Sequence, residues 1–199
     1  MIFNSIYTAE HYDARLEQKG WNTVNFDDSK WNGVGYRAVP SQNVVSQQVQ
    51  PIRAVETIPV KIWKKLNDTT YVFDFARNMA GVTRIKVSGE EGTVVRLKHG
   101  ERLYDNGRVN TSNIDVYHRP VDNSDPFQTD ILVLSGKGED EFMARFNYKG
   151  FRYVEVTSTN PLVLNENNLT AYFVHSDVPQ KGMIHTSNCT YQPSLVGYK

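Results

Sequence analysis

The sequence lacks an excess of charge of either sign. Its 199 residues hold 22 Lys plus Arg and 22 Asp plus Glu, so there is no net field to draw in a phosphate backbone, and no basic run marks a nucleic-acid footprint. Nucleic-acid binding is therefore not expected. There is one cysteine, Cys189, which excludes an internal disulfide, and no Cys/His cluster around it has zinc spacing. Long apolar runs are missing too: nothing is long enough to cross a bilayer, and the start MIFNSIYTAE has neither a basic nor an apolar leader region, so the chain is expected to be soluble. Helical patterns are nearly absent. Only TAEHYDARLEQKG, residues 8 to 20, could wind a few turns, with Gly20 as a stop signal. No repeat of fixed period emerges, which disfavours solenoids and propellers.

What is present is a succession of short β-type runs from residue 52 onward: YVFDF (71 to 75), TRIKV (83 to 87), TVVRLKH (93 to 99), DILVLS (130 to 135), EFMARFNY (141 to 148), FRYVEV (151 to 156) and LTAYFVH (169 to 175). Turn clusters rich in Gly, Asn, Asp or Pro separate them, RNMAG, SGEEG, DNG, SGKGED and STNP. Seven or more strands at this spacing predict an all-β fold, an antiparallel sandwich or jelly roll, on a chain long enough to bury a core. In LYDNGRV, Asn106-Gly107 predicts a hairpin whose two central residues both have positive φ. Residues 110 to 130 read as a surface excursion. The first 50 residues differ in texture, ending in the polar connector SQNVVSQQVQP, which places a boundary near Ile62 to Leu66.

ARFNYKGFRYVEV, residues 144 to 156, carries the densest aromatic pattern. Ala144, Phe146 and Tyr148 alternate with Arg145, Asn147 and Lys149, and the phase slips after Gly150. The expectation is that Phe146, Tyr148, Phe151 and Tyr153 pack between two sheets, with Gly150 letting the strand bend.

Catalytic signatures are few. There is no GxSxG elbow, no GxGxxG and no GxxxxGK. The five histidines, His11, His99, His118, His175 and His185, show no metal-ligand spacing. Glycoside hydrolysis needs only two carboxylates at the right separation, and 22 acids leave it open. One group of residues stands out: Tyr12, Asp13, Arg15, Trp21, Asp27, Asp28 and Trp31 mix flat rings with carboxylates and a guanidinium, a composition suited to sugar faces and hydroxyls. The competing reading is that Trp21 and Trp31 anchor a small core while Asp27-Asp28 make a turn.

Several segments, in order, resemble the bacterial alpha-L-rhamnosidase family of glycoside hydrolases: EHYDARLEQKGWNTVNFDDSKW (10 to 31), YVFDFARNMAGVTRIKV (71 to 87), KHGERLYDNGRV (98 to 109), FNYKGFRYVEV (146 to 156) and FVHSDVPQKGMIHTSN (173 to 188). The resemblance implies the C-terminal part of an N-terminal β-sandwich plus connector at 1–62, a concanavalin-like sandwich at 63–176, and at 177–199 an exit segment toward a catalytic (α/α)6 barrel. The family more often has Gly where Ala76 stands, which implies negative φ for Ala76 here, and Ala where Gly100 stands. The barrel's acidic ERxGWxGD-type motif is absent, so no catalytic residue is carried over.

By this resemblance the chain is an accessory, non-catalytic region of a rhamnosidase acting on rhamnose-containing glycans; the alternatives are a stand-alone module binding L-rhamnose or related sugars, and a purely structural packing domain. Implied sugar contacts are Tyr12, Asp13, Arg15 and Trp31, and Asp13 is the residue at which to look for Ca²⁺. Implied structural residues are Glu101, Gly150 and Arg152, with the guanidinium expected on Glu101 or Asp74 of the same sandwich. The implied partners are a carbohydrate, the catalytic barrel of the parent and, through an exposed packing face, a second copy of the chain.

Overall fold

Alternating apolar and polar residues form strands here wherever a neighbour can satisfy the backbone, and twelve strands result among the described residues. The structure, a computed structural model, describes residues 1–115, 126–179 and 187. In chain order the strands are β1 (Phe3–Asn4), β2 (Glu10–Asp13), β3 (Ile52–Pro59), β4 (Ile62–Asn67), β5 (Thr70–Ser88), β6 (Val94–Gly100), β7 (Arg102–Leu103), β8 (Val109–Asn110), β9 (Thr129–Val133), β10 (Glu139–Met143), β11 (Lys149–Ser158) and β12 (Leu169–Ser176). Ten of them share one sheet in the order β1-β2-β9-β6-β11-β5-β12-β3, with β4 and β10 also on β5; β7 and β8 form a separate hairpin. Every pairing is antiparallel except β2 with β9.

The sheet curls on itself because β5 is long enough to serve both layers. Its first residues, Thr70 to Asp74, lie between β4 and β11, while its last lie between β12 and β10. Phe73, Ile85, Val95, Leu97, Leu132, Leu134, Phe151 and Val154 are all fully buried in one continuous core. This is the all-β sandwich that the strand spacing predicts. Among the described residues no helix is long and apolar enough to cross a membrane.

Several local expectations are corrected. Residues 8 to 20 do not wind into a helix: β2 lies parallel to β9, which buries Glu10 and His11, and only a 3-10 turn at Ala14–Leu16 follows. RNMAG is no chain reversal either, since YVFDF and TRIKV belong to the single strand β5. The hairpin at LYDNGRV forms, but Gly107 alone has positive φ (81°). The Gly107 N–H bonds the Tyr104 carbonyl and the Tyr104 N–H bonds the Arg108 carbonyl, a three-residue loop with glycine at its left-handed position. Trp21 and Trp31 anchor no core, being 55% and 48% exposed. The boundary expected near Ile62 to Leu66 is not among these corrections: those residues lie within β4, and the sheet runs across them, since β3 pairs with β12. Most of 177–199, with Cys189 and His185, and also His118, lies outside the described residues.

The aromatic run departs furthest. Phe151 is fully buried, yet Phe146 and Tyr148 are 61% and 55% exposed, Tyr153 is half-buried, and Asn147 and Lys149 are buried in their place. The cause is Glu10. Its Oε1 accepts the backbone N–H groups of Arg145, Phe146 and Asn147 at 2.8, 2.5 and 3.3 Å, so three successive amides turn onto one buried oxygen instead of continuing a strand. The network extends beyond this: Lys149 Nζ donates to Asp130 Oδ1 (2.8 Å) and Asn147 Oδ1 (2.5 Å), and the Glu10 N–H donates to Asp130 Oδ1 (2.9 Å). Gly150 is not where β11 bends. It pairs regularly with Ala80, and the register shifts one step later, between Phe151 and Tyr153.

Candidate functional site

Two polar concentrations reach the surface. The first is on β2 and the turn after it. Asp13 caps the 3-10 turn by accepting the Arg15 N–H (3.0 Å), and its two oxygens also take Arg15 Nε (2.9 Å) and Nη2 (2.6 Å). Hydrogen bonds from Arg15 hold the Asp13 carboxyl below the usual carboxylate range in spite of its burial. Tyr12 packs against the core, stacked on Phe142 with ring centroids 5.8 Å apart. Burial and then the nearby Glu17 push its phenol up. Trp31 is placed elsewhere: its indole N–H donates to Gln18 Oε1 (2.6 Å) and its ring tilts against Phe26. The structure thus brings Tyr12, Asp13 and Arg15 together by adjacency, while Trp31 meets Gln18 and Phe26 instead.

These donors do not fit calcium. That ion takes six to eight oxygens, but both Asp13 oxygens are engaged by a guanidinium, and among the described residues no three His, Cys, Asp or Glu side chains converge.

The second concentration surrounds an interruption in β5. Register with β11 runs Phe151 to Met79 and then Tyr153 to Asp74, so residues 75 to 78 stand opposite Arg152 alone. Arg152 grips Asp74 with two parallel bonds, Nε to Oδ1 at 2.8 Å and Nη2 to Oδ2 at 2.9 Å, and its guanidinium lies 4.9 Å from the Tyr153 ring centroid. Of the two carboxylates expected to meet Arg152, Asp74 does so, whereas Glu101 accepts from Asn78 Nδ2 (2.7 Å). Burial raises the Asp74 carboxyl, but hydrogen bonds from Arg152 and from the Ala76 N–H (2.6 Å) outweigh it and leave the group below its ordinary range.

Ala76 itself has φ +57°, contrary to the negative value expected of an alanine. The bond its N–H makes to Asp74 holds it in the left-handed region, and Arg152 fixes Asp74 in turn. Gly100 has its own reason: a Cβ there would stand 2.6 Å from Val109 Cγ1, so β8 can approach only a glycine.

Gln128, at φ +51°, is the other non-glycine residue with positive φ among those described. Its carbonyl accepts from both the N–H (2.9 Å) and the Nδ1 (3.2 Å) of His99, and its side-chain Oε1 accepts the Gly150 N–H (3.2 Å). A carbonyl only accepts, so His99 Nδ1 carries the proton and Nε2 accepts from the Thr83 hydroxyl at 2.9 Å. Burial, reinforced by the charge of Lys149, lowers the His99 pKa to about 4, so the ring is neutral near pH 7.

Sequence reading missed Glu10, Asp130, Lys149 and Gln128. The only available signal was the acid in EHYDAR, two positions before the phenol-bearing Tyr12 and Asp13 pair, and it reads more readily as a helix start.

Comparison with known proteins gives a consistent result. Residues 64–175 match the family model described as the bacterial alpha-L-rhamnosidase concanavalin-like domain, and residues 1–56 match the alpha-L-rhamnosidase N-terminal domain. An alpha-L-rhamnosidase of Streptomyces avermitilis is 35% identical over 181 residues, which is 90% of this chain and 16% of that protein. Among solved structures, the alpha-L-rhamnosidase from Dictyoglumus thermophilum superposes with a TM-score of 0.80 at 35% identity, over 93% of this chain and 20% of that one. The Streptomyces avermitilis enzyme complexed with L-rhamnose gives 0.70 at 34% identity, over 85% and 16%. The chain spans between 16% and 19% of the length of the curated relatives it matches.

Proposed function

From the premise that this chain belongs to the bacterial alpha-L-rhamnosidase concanavalin-like family, we propose that it is the accessory, non-catalytic β-sandwich region of an alpha-L-rhamnosidase acting on rhamnose-containing glycans. It supports a catalytic barrel that the chain does not itself supply. The observation that carries this reading is coverage: the matches run through the N-terminal and concanavalin-like regions in order and take in a fifth or less of the Streptomyces avermitilis and Dictyoglumus thermophilum enzymes.

The state of the acids supports it. Glycoside hydrolysis uses two carboxyl groups flanking a sugar-sized gap, one of them free to give up a proton and the other free to attack or to activate water. Among the described residues each buried or half-buried carboxylate has a partner: three amides for Glu10 through its Oε1, Arg15 for Asp13, Arg152 for Asp74, Lys149 for Asp130, Ser135 for Asp140 and Arg108 for Glu155. Their bonds tie the sandwich together and leave no facing pair for catalysis among them. The purified chain should release no detectable aryl alcohol from an aryl α-L-rhamnoside. Steady hydrolysis that survives repurification would overturn the non-catalytic reading.

A further inference from the structure

From Tyr148, the residue before β11, into the strand the exposure alternates: Tyr148 and Gly150 are exposed and Arg152 half-buried, while Lys149 and Phe151 are buried. The middle member of the outward row has no side chain, which leaves a gap between an exposed phenol ring and a guanidinium. A Cβ at Gly150 would meet nothing closer than Glu101 Oε1 at 3.9 Å, so Glu101 borders the gap, and Asn78 is bonded to that same oxygen. Gly150 has ordinary φ and a regular partner in Ala80, so neither backbone conformation nor close packing demands a glycine here.

The surroundings of this gap are held stiffly. Both non-glycine residues with positive φ among those described support it: Ala76 through Asp74 and Arg152, and Gln128 through its bond to the Gly150 N–H. Backbone strain of this kind persists where surrounding structure enforces it, and it concentrates at binding surfaces. Elsewhere the described chain confines positive φ to glycine.

We infer that the gap over Gly150, bordered by Tyr148, Glu101, Asn78 and Arg152, is a binding site for one neutral sugar ring of a glycan. Tyr148 offers a flat apolar surface to stack on, and Glu101 and Asn78 offer an acceptor and a donor to neighbouring hydroxyls. The ligand is neutral because the cation of the site, Arg152, is already matched by Asp74, and an anion would meet the Glu101 carboxylate. The site rests on the accessory reading for its ligand class, and it differs in place from the residues on β2 and near Trp31 that the sequence singled out.

Gly150→Leu separates ligand binding from folding, since it fills the gap where the backbone tolerates a side chain. Titrating the whole chain with methyl α-L-rhamnoside, followed by amide chemical shifts, should move resonances of residues 148–152 and of Glu101. Gly150→Leu and Tyr148→Ala should each weaken the apparent Kd by about tenfold or more with an unchanged melting curve, and Trp31→Ala should leave it as it was. The inference falls if Gly150→Leu folds and binds like the parent chain, if Trp31→Ala abolishes binding, or if the parent chain shows no shifts with the glycoside. None of those outcomes touches the accessory reading, which the hydrolysis assay decides separately.

Discussion

The sandwich and the stretch from Glu17 to Gln50 use apolar residues in opposite ways. In the sandwich Phe73, Phe75 and Phe151 are at most 1% exposed, whereas Val24, Val34, Tyr36 and Val44 in the other stretch are 90% exposed or more. Hydrogen bonding shows why. Within 17–50 the bonds are local, such as Trp21 to Gln18, Thr23 to Gly20 and Trp31 to Asp28, while Glu10 holds Asn147 across 137 positions of sequence. Apolar side chains become core only when their backbone is ordered by distant partners that put them on a shared face. Isolated valines between Asn, Gln and Ser gain no such partner, so composition alone is a poor guide to which part of this chain is stable.

That contrast can be broken or sharpened by measurement. The largest effect is expected at Glu10. Its removal leaves three inward amides without an acceptor, and at about 1–3 kcal/mol for each donor orphaned in a buried setting the loss should reach about 3–5 kcal/mol. Urea unfolding of Glu10→Ala should show that loss, while Trp31→Ala, in the other region, should stay within about 0.5 kcal/mol. Equal effects from the two would remove the distinction.

Acid is expected to act next most strongly, and on the sandwich. His99 is neutral when folded, with a pKa of about 4 against 6.5 in the unfolded chain, so as pH falls below 6.5 the unfolded state takes up a proton that the folded state refuses. Stability from this group is complete above pH 6.5 and is lost progressively down to about pH 4, by roughly 3 kcal/mol in all. A His99→Gln chain should show a visibly shallower decline over that window. If its stability falls with pH as steeply as the parent's, His99 is not the acid-sensitive group.

The smallest effect is a gain. Ala76 pays a steric cost at φ +57° that glycine would not, so Ala76→Gly should raise stability by about 1 kcal/mol, slightly less once the freer unfolded chain is counted. Thermal melts showing a loss instead would mean that the methyl group packs in a way its exposure hides.

Much of the fold was legible. TRIKV, TVVRLKH, DILVLS and LTAYFVH lie in β5, β6, β9 and β12 because their alternation meets sheet neighbours on both sides. The Arg152 partnership could be read as well, since an arginine beside core aromatics needs a carboxylate and few strand-end acids were available. Other features were hidden for one physical reason. Whether Phe146 or Asn147 faces inward is decided by a carboxylate 136 and 137 positions away, and periodicity within a window carries no trace of it. Ala76 could not be read either, because its conformation is imposed by Asp74 and Arg152 against its own preference.

The parallel seam between β2 and β9 bears on anyone trimming this polypeptide to a minimal unit. Scissors applied between the two matched regions, near residue 60, would remove β1, β2 and β3 together and bare the flanks of both β9 and β12. Lys149 would keep Asp130, but the amides at 145 to 147 would open to water and two unprotected strand borders would invite fibrous stacking. The smallest soluble version of this sandwich should therefore begin before Thr8, however tidy a start at Ile62 looks on paper.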